Sequence, residues 1–137
     1  MKQNRVLVVD DHDLNLKLMT YVLATEDCEV VTALDATRAL ALLQGSPFDL
    51  VLLDLQLPDM DGLALTRVLR ANARTASLSI VAVTAYAMKG DEERALAAGV
   101  DHYVTKPISK DALRALVRRL LSSRPTSQAV GVAREVP

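Results

Sequence analysis

Five alternations of a short apolar run with a helix-spaced segment predict an α/β domain, a parallel five-stranded sheet covered by helices on both faces. Three observations carry that expectation. The runs Val6-Leu7-Val8-Val9, Leu50-Val51-Leu52-Leu53 and Ile80-Val81-Ala82-Val83 are continuously apolar, as strands buried on both faces are. Between the runs, apolar residues recur at intervals of three and four. Capping and breaking residues separate the units, among them Asp35, Gly45, Asp61-Gly62, Gly99 and Ser109.

Taken in order, the first strand is followed by a helix whose stripe is read as Leu14, Leu18, Met19, Val22 and Leu23. Val30-Val31-Thr32 forms a second, more polar strand. Asp35 caps the next helix, which carries Ala36, Ala39, Leu40 and Leu43 on one face. Gly45 ends that helix, and Ser46-Pro47 prevents its continuation. The third strand leads to Pro58 and the Asp61-Gly62 turn, then to a helix with Leu65, Val68 and Leu69. A short helix after the fourth strand has Asp91, Glu92 and Glu93 in its first turn, where acids favour the macrodipole. Gly99 closes it. After a fifth strand at His102-Tyr103-Val104, Ser109 caps a last helix striped by Leu113, Leu116, Val117, Leu120 and Leu121.

Strands two and five carry Glu29, Thr32, His102 and Thr105, and polar strands belong at sheet edges. That placement fits the order 2-1-3-4-5 of the flavodoxin-like three-layer (βα)5 sandwich, from which the order is taken. In that order the connections reverse direction between strands one and three, so a binding crevice should open at their carboxyl ends.

The chain has 137 residues, enough for one domain with a sizeable core, and half of them are apolar. A net charge of −1 suggests neither nucleic acid nor a membrane surface as partner. With aromatics at 3% and no Trp, stacking on single-stranded nucleic acid is not expected. The single cysteine, Cys28, excludes an intrachain disulfide and reads as a small core or edge residue. No stretch is long and apolar enough to span a membrane, and a cytoplasmic location is expected.

Four polar groups follow the ends of apolar runs: Asp10-Asp11, Asp54, Thr84 and, through Thr105, Lys106. In a parallel sheet they share one edge. Crowded carboxylates repel, and a hard divalent cation removes that cost. Oxygen donors without a clustered His or Cys select Mg²⁺, with Mn²⁺ as the alternative, over Zn²⁺. A carboxylate nucleophile beside an ammonium, a hydroxyl and such a cation suits phosphoryl transfer. Singly, each group has a plain explanation as a turn residue, a helix cap or a solvated charge. Their joint placement around one crevice makes the plain explanations weak together.

These segments resemble a known family. Val8-Val9-Asp10-Asp11, the run from Leu53 through Asp54 and Pro58 to Asp61-Gly62, Val83-Thr84-Ala85 and Lys106-Pro107 are similar to the signatures of response-regulator receiver domains of two-component signalling, the CheY-like superfamily. The resemblance runs from Arg5 to Leu121. Asn15 and the segment from Ala85 to Asp91 resemble DivK-like single-domain regulators and hybrid histidine kinase receivers. The resemblance implies that Asp54 is the phosphoacceptor, taking a phosphoryl group from a histidine kinase or a histidine phosphotransfer protein. It implies that Asp10, Asp11, Asp54 and the Gln56 carbonyl hold Mg²⁺, and that Lys106 and Thr84 contact the phosphoryl oxygens. Tyr103 matches the switch aromatic, and Gln56 and Tyr86 occupy positions that tune phosphate lifetime. Lys106-Pro107 matches a bond that is often cis in the family. Signalling would then run through the face of helix four, strand five and helix five.

His12 and His102 are read as a solvated loop or helix-start residue and an edge-strand residue, and Met60 and Met88 as gap fillers. A receiver domain over residues 1–122 and a disordered tail over 123–137 are expected, because periodicity stops at a Ser- and Pro-rich stretch. No output module is recognisable after Leu121, so output is expected through protein binding. Met1 favours a stand-alone regulator over a receiver excised from a hybrid kinase. A phosphohydrolase with Asp54 as nucleophile is disfavoured, because similar enzymes place a second acid where Gln56 stands. Flavin binding is disfavoured because Asp10-Asp11 would repel its phosphate. The chain is therefore expected to catalyse its own phosphorylation and dephosphorylation and no other reaction.

Overall fold

A computed structural model of the chain describes residues 4–85 and 88–122. Tyr86 and the 123–137 segment, both singled out above, lie outside the described residues. The elements alternate strictly: β1 (Asn4–Val9), α1 (Asp13–Leu23), β2 (Cys28–Ala33), α2 (Ala36–Gly45), β3 (Leu50–Asp54), α3 (Gly62–Ala71), β4 (Ser79–Thr84), α4 (Asp91–Ala98), β5 (His102–Thr105) and α5 (Lys110–Ser122). All pairings are parallel, in the order β2-β1-β3-β4-β5. The polar strands are the two edges, as their composition requires.

Alternate residues of the central strands feed two cores, one on each face of the sheet. Leu7, Val9, Val51, Leu53, Ile80 and Ala82 pack against α2, α3 and α4. Val6, Val8, Leu50, Leu52, Val81 and Val83 pack against α1 and α5. This pleat alternation explains why the central strands are apolar throughout.

The helix starts follow the sequence signals. Asp35 accepts from Arg38 N–H at 2.8 Å, Asp61 from Leu63 N–H at 2.9 Å, and Ser109 Oγ from Ala112 N–H at 3.1 Å. The stripe on α1 differs from the expected one. Its buried residues are Leu16, Met19, Val22 and Leu23, while Leu14 and Leu18 are exposed. At 3.6 residues per turn, Leu14, Leu18 and Tyr21 form a separate apolar strip pointing away from the sheet. Val68 on α3 is exposed as well, and so is Met88, which fills no gap.

Gly62 fixes how the chain leaves β3. A Cβ there would sit 2.6 Å from Leu55 Cα and 3.0 Å from the Asp54 carbonyl oxygen. Backbone cannot yield as a side-chain tip can, so Gly62→Ala is expected to cost about 1–3 kcal/mol. A lower urea midpoint at unchanged slope would show this; an unchanged midpoint would mean that the loop has room to shift. At the far end of the sheet Arg70 ties three segments, donating to Leu78 O, Gly99 O and Asp101.

Candidate functional site

The register brings the acids together. Val9 pairs with Leu53, so the next residues along, Asp10 and Asp54, leave neighbouring strands side by side. Asp10 stays tied to the sheet through its N–H to Ala33 O at 3.1 Å. Lys106 follows β5, two strands beyond β3, and its N–H donates to Thr84 O at 2.7 Å, which aims the lysine back over the sheet edge. The Lys106-Pro107 bond is cis. Lys106 Nζ then donates to Asp10 Oδ2 at 2.9 Å and to Asp54 Oδ2 at 3.2 Å. The remaining oxygens are used too: Asp10 Oδ1 accepts from His12 N–H at 2.8 Å and Asp54 Oδ1 from Gln56 N–H at 2.9 Å. Asn15 Nδ2 approaches Asp10 Oδ2 at 3.4 Å.

Both acids are buried, Asp10 at 2% and Asp54 at 4% exposure, so the balance between desolvation and hydrogen bonding decides their charge. For Asp54, burial wins over the Gln56 N–H and Lys106, and its pKa lies above the ordinary value. For Asp10, burial is outweighed by the His12 N–H together with Lys106, and its pKa lies below the ordinary value. Lys106 is partly desolvated, yet the two acids hold its pKa above the usual lysine value. The structure therefore sets two unlike carboxylates beside one ammonium: in Asp10 the hydrogen bonds favour the charged form, and in Asp54 burial disfavours it.

Asp11 lies further out, and one donor atom each from Asp10, Asp11, His12 and Asp54 falls within 4.8 Å of the others. The crevice is lined by Asp11, His12, Asn15, Asp54, Gln56 and Lys106. Thr84 is buried at the end of β4 and lines an adjacent recess with Asp61, Asp91 and Arg94. Gln56 borders both recesses. Tyr103 is half-buried against the α2, α3 and α4 core, with its hydroxyl buried and unpaired among the described residues.

Two features are not apparent from the sequence. The expectation of a cluster without histidine is overturned, because His12 Nδ1 lies 3.1 Å from Asp10 Oδ1 and 3.0 Å from Asp11 Oδ1. Its adjacency to the acid pair is the available signal. Asp59, in the loop after Asp54, reaches back to α2. It accepts from Thr37 Oγ1 at 2.6 Å, Ala36 N–H at 2.9 Å and Thr37 N–H at 3.0 Å. These bonds, the Thr37 hydroxyl's foremost, hold its pKa down to about 2. Asp59 and Asp61 thus suspend the loop carrying Gln56 between the N-termini of α2 and α3, a link invisible without the tertiary structure.

Beside the crevice, an apolar recess lined by Leu18, Met19, Val22, Pro107, Ile108 and Leu113 shares Asn15 and Lys106 with it. The exposed strip of Leu14, Leu18 and Tyr21 adjoins that recess through Leu18. No helix among the described residues is long and apolar enough to cross a membrane.

Comparison with known proteins gives a consistent result. The family model described as the response regulator receiver domain matches residues 6–118. The polar-differentiation response regulator DivK of Brucella ovis is 38% identical over 104 residues, covering 76% of this chain and 85% of DivK. Hybrid signal transduction histidine kinase L of Dictyostelium discoideum is 35% identical over 121 residues, covering 84% of this chain but only 7% of that protein. A CheY-like response regulator receiver domain protein from Methanospirillum hungatei JF-1 superposes with a TM-score of 0.79 at 31% identity, over 88% of this chain and 96% of that one. The family match runs from β1 into α5 and takes in every element that shapes the crevice, so the chain belongs to the response regulator receiver domains of two-component systems.

Proposed function

We propose that Asp54 is the phosphoacceptor of this receiver, taking its phosphoryl group from a phosphohistidine on a histidine kinase or phosphotransfer protein. The observation that carries this reading is Lys106 Nζ set between the Asp10 and Asp54 carboxylates at adjoining strand ends. In the transfer, the P–N bond of the donor breaks as a bond forms to an Asp54 carboxylate oxygen, and the donor imidazole takes up a proton. Lys106 can then turn from pairing carboxylates to pairing a phosphoryl oxygen. Incubation with a small phosphodonor in Mg²⁺, followed by mass spectrometry of borohydride-trapped peptides, tests the assignment. The label is expected on Asp54; a label elsewhere overturns it.

The donor set fits a hard cation: Asp10, Asp11 and Asp54 carboxylates, with the Gln56 carbonyl beside them, would hold Mg²⁺ or Mn²⁺. When bound, such an ion neutralises charge that accumulates on the phosphoryl oxygens. Asp11→Ala is expected to raise the melting temperature in metal-free buffer by relieving charge crowding. At about a hundred times its Kd, Mg²⁺ should stabilise the parent by about 2.7 kcal/mol and this variant hardly at all. An equal Mg²⁺ response in the two proteins would remove Asp11 from the ligand set.

Thr84 and Tyr103 complete the switch. Both stand beside α4, so new bonds to the phosphoryl group would bias the face made by α4, β5 and α5, where a downstream protein would bind. Moving such an equilibrium from about 1:99 to about 99:1 needs a free-energy difference between the two states of about 5.5 kcal/mol. The exposed strip of Leu14, Leu18 and Tyr21, joined to the crevice through the recess that shares Asn15 and Lys106 with it, suits an apolar contact with the phosphodonor. Gln56 borders the crevice and would tune phosphate lifetime, a role the family resemblance also gives to Tyr86. We read the receiver unit as residues 1–122, cytoplasmic, with chemistry confined to its own phosphorylation and dephosphorylation. The match to a segment of a hybrid kinase keeps a second setting open, a receiver that works as one part of a longer kinase.

A further inference from the structure

The carboxylate cluster contains one nitrogen donor. His12 precedes α1, and its N–H donates to Asp10 Oδ1 at 2.8 Å, folding the residue back over the acids. Its Nδ1 consequently lies 3.1 Å from Asp10 Oδ1 and 3.0 Å from Asp11 Oδ1. Neighbouring donors on one six-coordinate ion with bonds of about 2.1 Å are about 3.0 Å apart. The two His12–carboxylate separations have that length, which is also the length of the hydrogen bond between the ring and Asp10, so a cation can replace the shared proton with little movement of the ring. The ring is 66% exposed, so it can reorient without disturbing either core.

We propose that His12 Nδ1 is a direct ligand of the divalent cation in this crevice and shifts its preference from Mg²⁺ toward first-row transition cations. The inference rests on the reading of Asp10, Asp11 and Asp54 as cation ligands. The chemistry is donor softness. Mg²⁺ is hard, binds oxygen and keeps its waters, and gains little from an imidazole. Co²⁺, Ni²⁺ and Zn²⁺ bind imidazole well, and Mn²⁺ accepts it with less gain. A receiver built this way would take a transition cation at concentrations where Mg²⁺ would otherwise fill the site.

Co²⁺ and Mg²⁺ are close in size, so their contrast isolates the donor effect. Calorimetric titration of the unphosphorylated full chain with each metal, in the parent, His12→Ala and Asp11→Ala, is the test. His12→Ala is expected to weaken Co²⁺ binding about tenfold or more and Mg²⁺ binding by less than about threefold. Pulsed electron paramagnetic resonance of the Mn²⁺-loaded parent is expected to show a directly coupled ¹⁴N nucleus that His12→Ala lacks. A parent spectrum without that coupling overturns the proposal, even if the variant does not fold. Equal losses for both metals, or no loss for either, overturn it as well. If Asp11→Ala abolishes binding while His12→Ala changes nothing, only the His12 role falls. If Asp11→Ala keeps both metals, the cation reading of the whole crevice falls with it.

Discussion

Asp54→Asn is expected to lose Mg²⁺-dependent labelling by a small phosphodonor and, in the same molecule, to gain stability without metal. The loss follows from chemistry: an amide oxygen is not the nucleophile that a carboxylate is, so the substitution removes the proposed acceptor while leaving the Asp10 carboxylate on Lys106 and the His12 N–H. Labelling should fall below detection, and persistent stoichiometric labelling would sink the assignment. The gain follows from burial. Desolvation holds the Asp54 pKa above its unfolded value, so the native state binds this proton more tightly than the unfolded chain. The carboxylate therefore costs stability as pH rises from its unfolded pKa through the raised native one. Above that window the cost is fully present. Asn keeps an acceptor for the Gln56 N–H and removes the charge, while Lys106 keeps Asp10. A gain in stability at neutral pH is expected, shrinking to nothing in acid where the parent's Asp54 is already neutral. Thermal unfolding across pH reads both limbs. A gain that persists unchanged into acid would point to packing rather than charge.

The features of this chain that depend on short sequence stretches are legible in the sequence, and those that depend on distant partners are not. Fully apolar strands imply burial on both faces, and the polar edges β2 and β5 follow from composition alone. Asp10, Asp11, Asp54 and Lys106 are readable as a cluster because parallel strands carry their C-terminal residues to one edge whatever the loops do. On α1, by contrast, two apolar strips overlap in sequence. Periodicity cannot say which one faces the sheet, and Leu14 and Leu18 turn out to lie on the solvent side. Thr84 leaves the same sheet edge but faces a neighbouring recess, since strand position fixes the edge and not the side chain's direction. His12 reads as solvated, and its ring is largely exposed, yet a backbone bond to Asp10 turns it onto the acids. Asp59 reaches α2 across 23 residues of sequence, a separation over which spacing carries no signal.

Lys106→Met should produce the largest stability change. Methionine fills much of the lysine stem's volume, so the change isolates the ammonium. Without it, Asp10 and Asp54 remain buried beside each other, each keeping one backbone N–H and neither keeping its cation. Removing one partner of a buried ion pair costs about 3–5 kcal/mol, because a desolvated charge is left uncompensated. The pH dependence separates this cause from lost packing. Lys106 helps to hold the Asp10 pKa down against burial, and it restrains the rise at Asp54. In the variant both pKa values should move up. A carboxylate raised above its unfolded value makes stability fall as pH rises through that window, so the variant should lose stability from acid to neutral pH more steeply than the parent. The two proteins should converge in acid, where both carboxylates are protonated. Mg²⁺ supplies the second check. A crevice without its lysine attracts a cation more strongly, so saturating Mg²⁺ should raise the melting temperature of Lys106→Met further than that of the parent. A stability deficit of constant size across pH, indifferent to Mg²⁺, would mean that Lys106 contributes only the packing of its stem. The expected pattern would instead show that the resting fold uses this lysine as a substitute for a positive charge it must later share with a phosphoryl group. In that case the same ammonium that neutralises Asp10 and Asp54 at rest is withdrawn from them when the site is modified.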